Sequence, residues 1–429
     1  MRVLVTTIVA LNPGDAAILQ GTRILVERAF GKDARMAAAD RRADTSRRLY
    51  PWMRFVASPF GGASRGPIGR WISGLGYEHR LRRIDPLRLR LVARLVQFKL
   101  GGLARLWASH ETVLAVREYL DADLILASGG TYLVPVYSLD APLQDYEFSL
   151  WLNKPLGFMP QSMGPFVGLP LEERFRKAFQ SARFVFVRDR QSSDHLEQLG
   201  IRKEHVHIIP DAAFALMPRS PRVSRKHPAT SLHVAISVRE WSHFPMKAAE
   251  DGMTAYFQSL AKVVEWLVRD MGATVTFLSS CQGIPEYWTD DSRAATGVVA
   301  VLDPEVARKV RIDSQFREPS ALMGALGEFD LVIATRMHVA ILSLCAGVPV
   351  VPIAYEFKTK QLFDSLGLQA LVTDIETLTA DGLRDRVGLL LAHADQFAAL
   401  TTAGLDRIEQ QLEKIPEVLR STAKDPAPR

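Results

Sequence analysis

Cysteine is almost absent from this sequence. Cys281 and Cys345 are the only two in 429 residues, too few for a disulfide framework or a four-cysteine zinc site. That scarcity fits a reducing, cytoplasmic setting. Long apolar runs are also missing. The opening stretch Met1–Leu11 has one basic residue and is broken sharply by Asn12-Pro13-Gly14-Asp15, which suits a buried first strand better than a secretory leader. Val339–Tyr355 carries no Asp, Glu, Lys or Arg, but it holds Pro349 and Pro352 and is shorter than a typical span. No transmembrane helix is therefore expected. No glycine spacing matches a dinucleotide fingerprint, and no P-loop occurs. There is no short repeat and no low-complexity tract. Neither charge dominates: 53 Lys and Arg against 47 Asp and Glu leave +6, which gives no reason to expect nucleic acid. Acidic residues are scarce only locally. Between Arg47 and Arg105 they are Glu78 and Asp85 alone. A basic surface there suits an anionic lipid or substrate; a solvated helical face would have the same composition.

What is present is an ordinary soluble composition, 48% hydrophobic and 23% charged, long enough for two or three domains. Short apolar runs alternate with helical spacing. Val3–Ala10, Asp123–Ser128, Pro155–Met159 and Phe184–Val187 read as strands, the last three buried on both faces. Ala16–Phe30, Leu171–Ala182 and Gln191–Leu199 read as helices, the first with Asp15 as its N-cap. A second series follows the polar stretch at 218–228: strands Leu232–Val238, Ala273–Ser279, Leu331–Ala334 and Val348–Ile353, and helices Met253–Met271, Ala321–Leu326, Val339–Ala346 and Lys358–Leu366. Such alternation implies α/β architecture, with two doubly wound parallel sheets. The expected division is 1–218, with a basic insertion at about 47–105; 230–380; and a helical region and tail at 381–429. Arg219–Ala229 is the expected linker.

Polar residues gather where strands should end, the edge at which α/β proteins bind ligands. Asn12, Gly14 and Asp15 follow the first strand. Glycine there permits close backbone approach, and Asp15 suits sugar hydroxyls or the role of a base; a plain helix cap would use the same residues. Gly129 and Gly130 follow Asp123–Ser128, and mark a tight turn or a pocket. Gln161 and Ser162 offer an amide and a hydroxyl after the next strand. Arg188 ends Phe184–Val187, as either an anion ligand or the partner of Asp189 or Asp194. Arg239 is a second candidate anion binder. The densest cluster is Thr335-Arg336-Met337-His338, between a buried strand and an apolar helix. A guanidinium and an imidazole at a helix start make a good anion site, and His338 can exchange a proton near neutral pH. Lys358 lies beside this loop if the two last strands are neighbours. Cations converging in that way call for a phosphate- or carboxylate-bearing ligand. His195, His205 and His207 lack metal-ligand geometry and read as structural or exposed.

Taken together and in order, Asn12–Asp15, Ser128–Thr131, Gly157–Phe166, Val187–Asp189 with Leu199-Gly200-Ile201, Pro210-Asp211, Arg336–His338 and Tyr355–Lys358 resemble the polysaccharide pyruvyl transferase family, over roughly positions 3–370. Thr335 and Met337 depart mildly from the usual pattern. The basic 47–105 stretch departs more and leaves the acceptor open. The resemblance implies two Rossmann-like domains in a GT-B-like arrangement. The implied reaction is transfer of pyruvate from phosphoenolpyruvate to a sugar of a polysaccharide or lipid-linked oligosaccharide, forming a ketal and releasing phosphate. It places Arg336, His338, Lys358 and Arg188 at the donor. No metal and no organic cofactor are expected. The expected location is cytoplasmic, with peripheral contact at the inner face of an anionic membrane. Two other readings share these features: a GT-B glycosyltransferase using a nucleotide sugar, and a non-catalytic, membrane-associated scaffold of envelope assembly.

Overall fold

The computed structural model describes residues 1–60, 66–68, 78–218, 231–241, 243–244, 248–287 and 289–424. The expected linker Arg219–Ala229, part of the basic stretch and the end of the tail lie outside them. Runs such as Leu-Ile-Leu-Ala at 124–127 and Leu-Val-Ile-Ala at 331–334 have no polar face. Only a strand covered on both sides can hold them, and both are fully buried strands.

The first sheet holds β1 Arg2–Ile8, β2 Arg35–Asp40, β3 Arg54–Ala57, β4 Leu124–Ala127, β5 Gly130–Leu133, β6 Leu156–Met163, β7 Phe184–Val187 and β8 Val206–Ile208. Its order is β3-β2-β1-β4-β6-β7-β8, with β5 also on β6, and every pairing is parallel. The second holds β9 His233–Ser237, β10 Thr274–Leu278, β11 Arg311–Asp313, β12 Leu331–Ala334, β13 Val350–Ala354 and β14 Thr373–Asp374, ordered β11-β10-β9-β12-β13-β14 and again parallel. In each sheet the chain runs outward on one side, returns to the middle, and runs outward on the other. The reversal falls between β1 and β4, and between β9 and β12. In α/β sheets such a reversal, at the carboxyl ends of the strands, is where ligands usually bind.

Packing divides the chain into two compact units. One comprises Met1–Leu11, Ile18–Ala212 and Gln411–Arg429; the other comprises Asn12–Ala17 and Ala213–Gln410. The C-terminal helical region is three helices, Ala380–Ala392, Ala394–Leu412 and Lys414–Lys424. The last is tied to the first unit: Arg28 Nη1 meets Glu413 Oε1 at 2.9 Å, and Arg420 donates to the Arg28 carbonyl at 3.1 Å.

Three local expectations need correction. The first long helix starts at Pro13, not Ala16. Proline at the first helical position loses no needed N–H, and Asn12 Oδ1 accepts from the Gly14 amide at 2.9 Å. Asn12 is thus the cap and Asp15 sits in the first turn. β6 continues through Pro160 to Met163, so Gln161 and Ser162 belong to a buried strand rather than a loop. Proline is tolerated because the register with β7 slips between Phe158 and Gln161, leaving no ladder bond for it to break. The 47–105 stretch is not wholly an insertion, since β3 lies within it and pairs with β2. Part of its excess charge is also matched internally. Arg47 meets Glu111 at 3.1 Å, Arg54 pairs with Glu118, and buried Arg88 meets Asp85 at 3.0 Å.

One acid lies inside the first unit. Asp145 is buried on the helix Asp140–Trp151 and accepts from Tyr119 Oη at 2.9 Å. Burial pushes its carboxyl up to about 7, against the opposing hydrogen bond. A folded-state value above the unfolded 3.8 means that the native state binds the extra proton. Its contribution is complete below pH about 4 and is lost as pH rises through about 7. Asp145→Asn should therefore remove a decline in stability over that window, of up to about 1.4 kcal/mol per pH unit. Urea unfolding of both proteins from mildly acidic to neutral pH would check this; parallel stability curves would refute it.

Candidate functional site

In the second unit the chemistry collects at the reversal between β9 and β12. β12 ends at Ala334, and the apolar helix Met337–Cys345 begins three residues later. Thr335 is pinned twice: its amide donates to the Ser237 carbonyl at 3.0 Å, and its hydroxyl meets buried Tyr256 Oη at 2.7 Å. Arg336 follows at 9% exposure. Its Nε donates to Asp291 Oδ1 at 3.0 Å, and Nη2 donates to the same oxygen. The other carboxylate oxygen of Asp291 accepts from the Ser280 hydroxyl at 3.0 Å and the Cys281 amide at 2.9 Å. Burial is the largest influence on Arg336 and opposes its charge. The Asp291 carboxylate, aided by Cys281 and Tyr355, outweighs it and holds the guanidinium above its ordinary value. Arg336 is thus a permanent cation, fixed from one side.

His338 occupies the first turn of that helix. Gly14, in the segment Asn12–Ala17 of the same unit, lies against its ring so closely that a Cβ there would come within 2.3 Å of Nδ1. This explains glycine at position 14 better than turn geometry does. Asp15 belongs to the same neighbourhood. Burial pushes the Cys281 thiol up to about 12; Arg336 opposes that rise, while the charges of Asp291 and Asp15 add to it. Arg239 follows β9 with its guanidinium over a pair of rings, 4.3 Å from the centre of Tyr355 and 5.2 Å from that of Trp241. The two rings touch each other, with centres 4.6 Å apart, so both hold the guanidinium by cation–π contact from the same side. β12 and β13 are adjacent and parallel, the condition for Lys358 to emerge beside the 336–338 loop. Lys358 is largely buried and pairs with Glu356.

The first unit holds the remaining candidates. Arg188 is 7% exposed in its side chain and pairs with Asp211. It also donates to Thr131 Oγ1 at 2.7 Å and Ser162 Oγ at 3.2 Å. Neither Asp189 nor Asp194 is its partner. Asp189 instead accepts from Ser162 Oγ at 2.6 Å and caps the next helix through the Ser192 amide at 2.8 Å. Gly129 is required by close approach: a Cβ would sit 2.6 Å from the Pro160 carbonyl oxygen. Gly130 has φ +128° and pairs with Gln161. The Gln161 side chain is buried, and both its oxygen and its nitrogen lack a protein partner among the described residues, a costly state for a structural amide. His195 and His205 do serve structure, meeting the carbonyls of Met163 at 2.9 Å and Phe179 at 3.1 Å.

Asp291 is the residue that sequence reasoning missed. It stands 45 positions from Arg336, after an unremarked loop, and nothing local links the two. Among the described residues no three His, Cys, Asp or Glu side chains gather as a metal would need, and no helix is long and apolar enough to cross a membrane.

Two parallel sheets flanked by helices, with cationic side chains following strands of each, define an α/β protein of GT-B-like fold. Solved structures share that fold across nearly the whole chain. HepE of Anabaena in complex with UDP-glucose matches with a TM-score of 0.55 at 14% identity, covering 99% of this chain and 98% of its own. The UDP-GlcNAc 2-epimerase of Neisseria meningitidis matches at 0.52 and 10%, covering 98% and 99%. The model of the family described as polysaccharide pyruvyl transferase matches residues 12–356, and the chain belongs to that family. The amylovoran biosynthesis protein AmsJ of Erwinia amylovora is 30% identical over 311 residues, 66% of this chain and 71% of its own. The protein is a transferase with a role in polysaccharide biosynthesis, and the scaffold reading falls.

Two substitutions test this geometry. Gly14→Ala should displace the His338 ring and lower turnover by at least about tenfold; unchanged turnover would show that the contact is idle. Asp291→Ala should cost about 3–5 kcal/mol in urea unfolding, because it strands a buried guanidinium.

Proposed function

We propose that the protein transfers pyruvate from phosphoenolpyruvate to two hydroxyls of a saccharide, releasing phosphate and leaving a cyclic ketal. The observation that carries this reading is the group at the β9/β12 reversal: a fixed guanidinium at 336, an imidazole at 338, a guanidinium resting on aromatic rings at 239 and an ammonium one strand over at 358. Phosphoenolpyruvate bears a phosphate and a carboxylate on three carbons, so it needs several cations close together. In this reading Arg336, Arg239 and Lys358 hold those anions. Arg188 is assigned to the donor as well, on the family resemblance.

The chemistry then follows from the donor. Protonation of its methylene carbon places positive charge at C2. One sugar hydroxyl attacks C2 and loses its proton; the C2–O bond to phosphate breaks; the second hydroxyl then attacks C2, closes the ring and gives its proton to the departing phosphate. His338 is the proposed acid for the methylene carbon, with Gly14 packed against its ring. Asp15 is the proposed base for a hydroxyl. Acceptor binding is assigned to Asn12, Gly14, Gly129, Gly130, Gln161 and Ser162. The unpartnered amide of Gln161 supports this, since a sugar hydroxyl can both donate to it and accept from it. The acceptor is a polysaccharide unit or its lipid-linked precursor.

Calorimetry with phosphoenolpyruvate and UDP-glucose, followed by phosphate release with saccharide extracted from the source cells, tests the reading. Phosphoenolpyruvate should bind and UDP-glucose should not. Arg336→Lys should weaken binding, because an ammonium cannot reproduce the side-on pair. His338→Ala should keep the fold and lose about 10²–10⁴-fold in phosphate release. Binding of UDP-glucose alone would move the protein to the glycosyltransferases. Near-normal turnover by His338→Ala would sink the proposed acid.

A further inference from the structure

The helix Glu78–Gln97 and the short helix Gly101–Trp107 form a hairpin with an unusual distribution of apolar surface. One face of the longer helix is buried in the first unit through Leu89, Val92 and Ala93. That is ordinary amphipathic packing. The opposite face is apolar too. Leu87, Leu91 and Phe98 recur at helical spacing, and they are 62%, 39% and 70% exposed. Past the turn, Leu100, Leu103 and Leu106 are exposed as well. A second apolar stripe, turned away from the core, has no role in holding the unit together.

Its surroundings are cationic. No Asp or Glu occurs between Asp85 and Glu111, while Arg90, Arg94, Lys99 and Arg105 all do. Among the described residues none of these four is in an ion pair. Arg90 and Arg94 each lie 5.3 Å over the ring of Trp151. The helix packed beneath, His110–Asp121, brings two acids near the hairpin, Glu111 and Glu118. Those are taken by Arg47 and Arg54. The apolar stripe is therefore edged by unneutralised positive charge, with an exposed phenylalanine and a lysine adjoining at the turn. A partner that fits must accept apolar side chains and offer dense negative charge beside them. An anionic bilayer surface does both: its acyl boundary takes the leucines and phenylalanine, and its headgroups take the cations.

We propose that this hairpin docks the protein on an anionic lipid surface, with Phe98, Leu100 and Leu103 entering the headgroup boundary and Lys99 and Arg105 contacting lipid headgroups. The proposal narrows the basic stretch 47–105 to its last part, because Arg47, Arg54 and Arg88 are spent on intramolecular pairs. It does not depend on the donor assigned above.

The test is flotation of the purified full chain with vesicles of phosphatidylcholine alone, or of equal parts phosphatidylcholine and phosphatidylglycerol. The wild type should float with the anionic vesicles only, and less so as salt is raised. The double variant Lys99→Glu/Arg105→Glu should lose on the order of 30-fold in partitioning. Phe98→Ser/Leu103→Ser should lose at least about tenfold. Both should keep the wild-type unfolding temperature, since all four side chains are exposed. A wild type that ignores anionic vesicles, or variants that float equally well, would overturn the proposal. So would a wild-type dimer that dissociates on Phe98→Ser/Leu103→Ser without any vesicle binding, which would give the face to a second copy of the chain.

Discussion

A guanidinium at the carboxyl edge of a buried parallel sheet has to be neutralised by the protein itself before any substrate arrives. Asp291 does this for Arg336. The pair joins two parts of the second sheet that are far apart in sequence, the loop after β12 and the helix after β10. The same carboxylate holds the Ser280 and Cys281 segment by its other oxygen. An arginine secured through Nε and Nη2 keeps one orientation, so the position of its charge is set by the fold and not by the ligand. His338, two residues on, inherits that position through the helix it begins. Gly14 then fits the ring with no room for a methyl group.

The first sheet meets the same problem with another aspartate and a wider network. Arg188 shares its charge among Asp211, Thr131 and Ser162, so its network links the ends of several strands. Asp189 takes up Ser162 and caps a helix, leaving Asp211 to neutralise the arginine. A guanidinium bound this fully is less available than Arg239, whose neighbours are aromatic faces rather than carboxylates. Cations of two kinds result: Arg336 and Arg188, each neutralised by a carboxylate of the protein, and Arg239, which rests against aromatic rings.

Much of this was legible in the sequence. β4, β7 and β12 are continuous apolar runs with only one sensible state, and the Arg336–His338 pair stood out because the flanking residues are so apolar. Other features were hidden for physical reasons. β3, β8 and β11 are three or four residues long, and Arg54, His207 and Arg311 break their apolar character at exposed sheet edges. Pro160 argued for the end of a strand that in fact continues, because a register slip removes the need for its missing N–H. Asp15 looked like a cap since proline and glycine before it suggested a loop; Pro13 is instead the first helical residue. Asp291 could not be paired with Arg336 without the order of strands, because only the return from β11 to β12, past β10 and β9, brings them together.

The route of the chain has a consequence for how the protein is made. The second unit is continuous from Ala213 to Gln410 apart from the short segment at 12–17, whereas the first is not complete until the chain returns at Gln411. On the ribosome the first unit waits for its closing helix, Lys414–Lys424, while almost all of the second is already available to fold. The surface around Arg28 that this helix covers is exposed throughout that interval. A helix made about 200 residues after the rest of the first unit thus seals it, and a nascent chain halted before that helix carries an open core to whatever chaperone meets it.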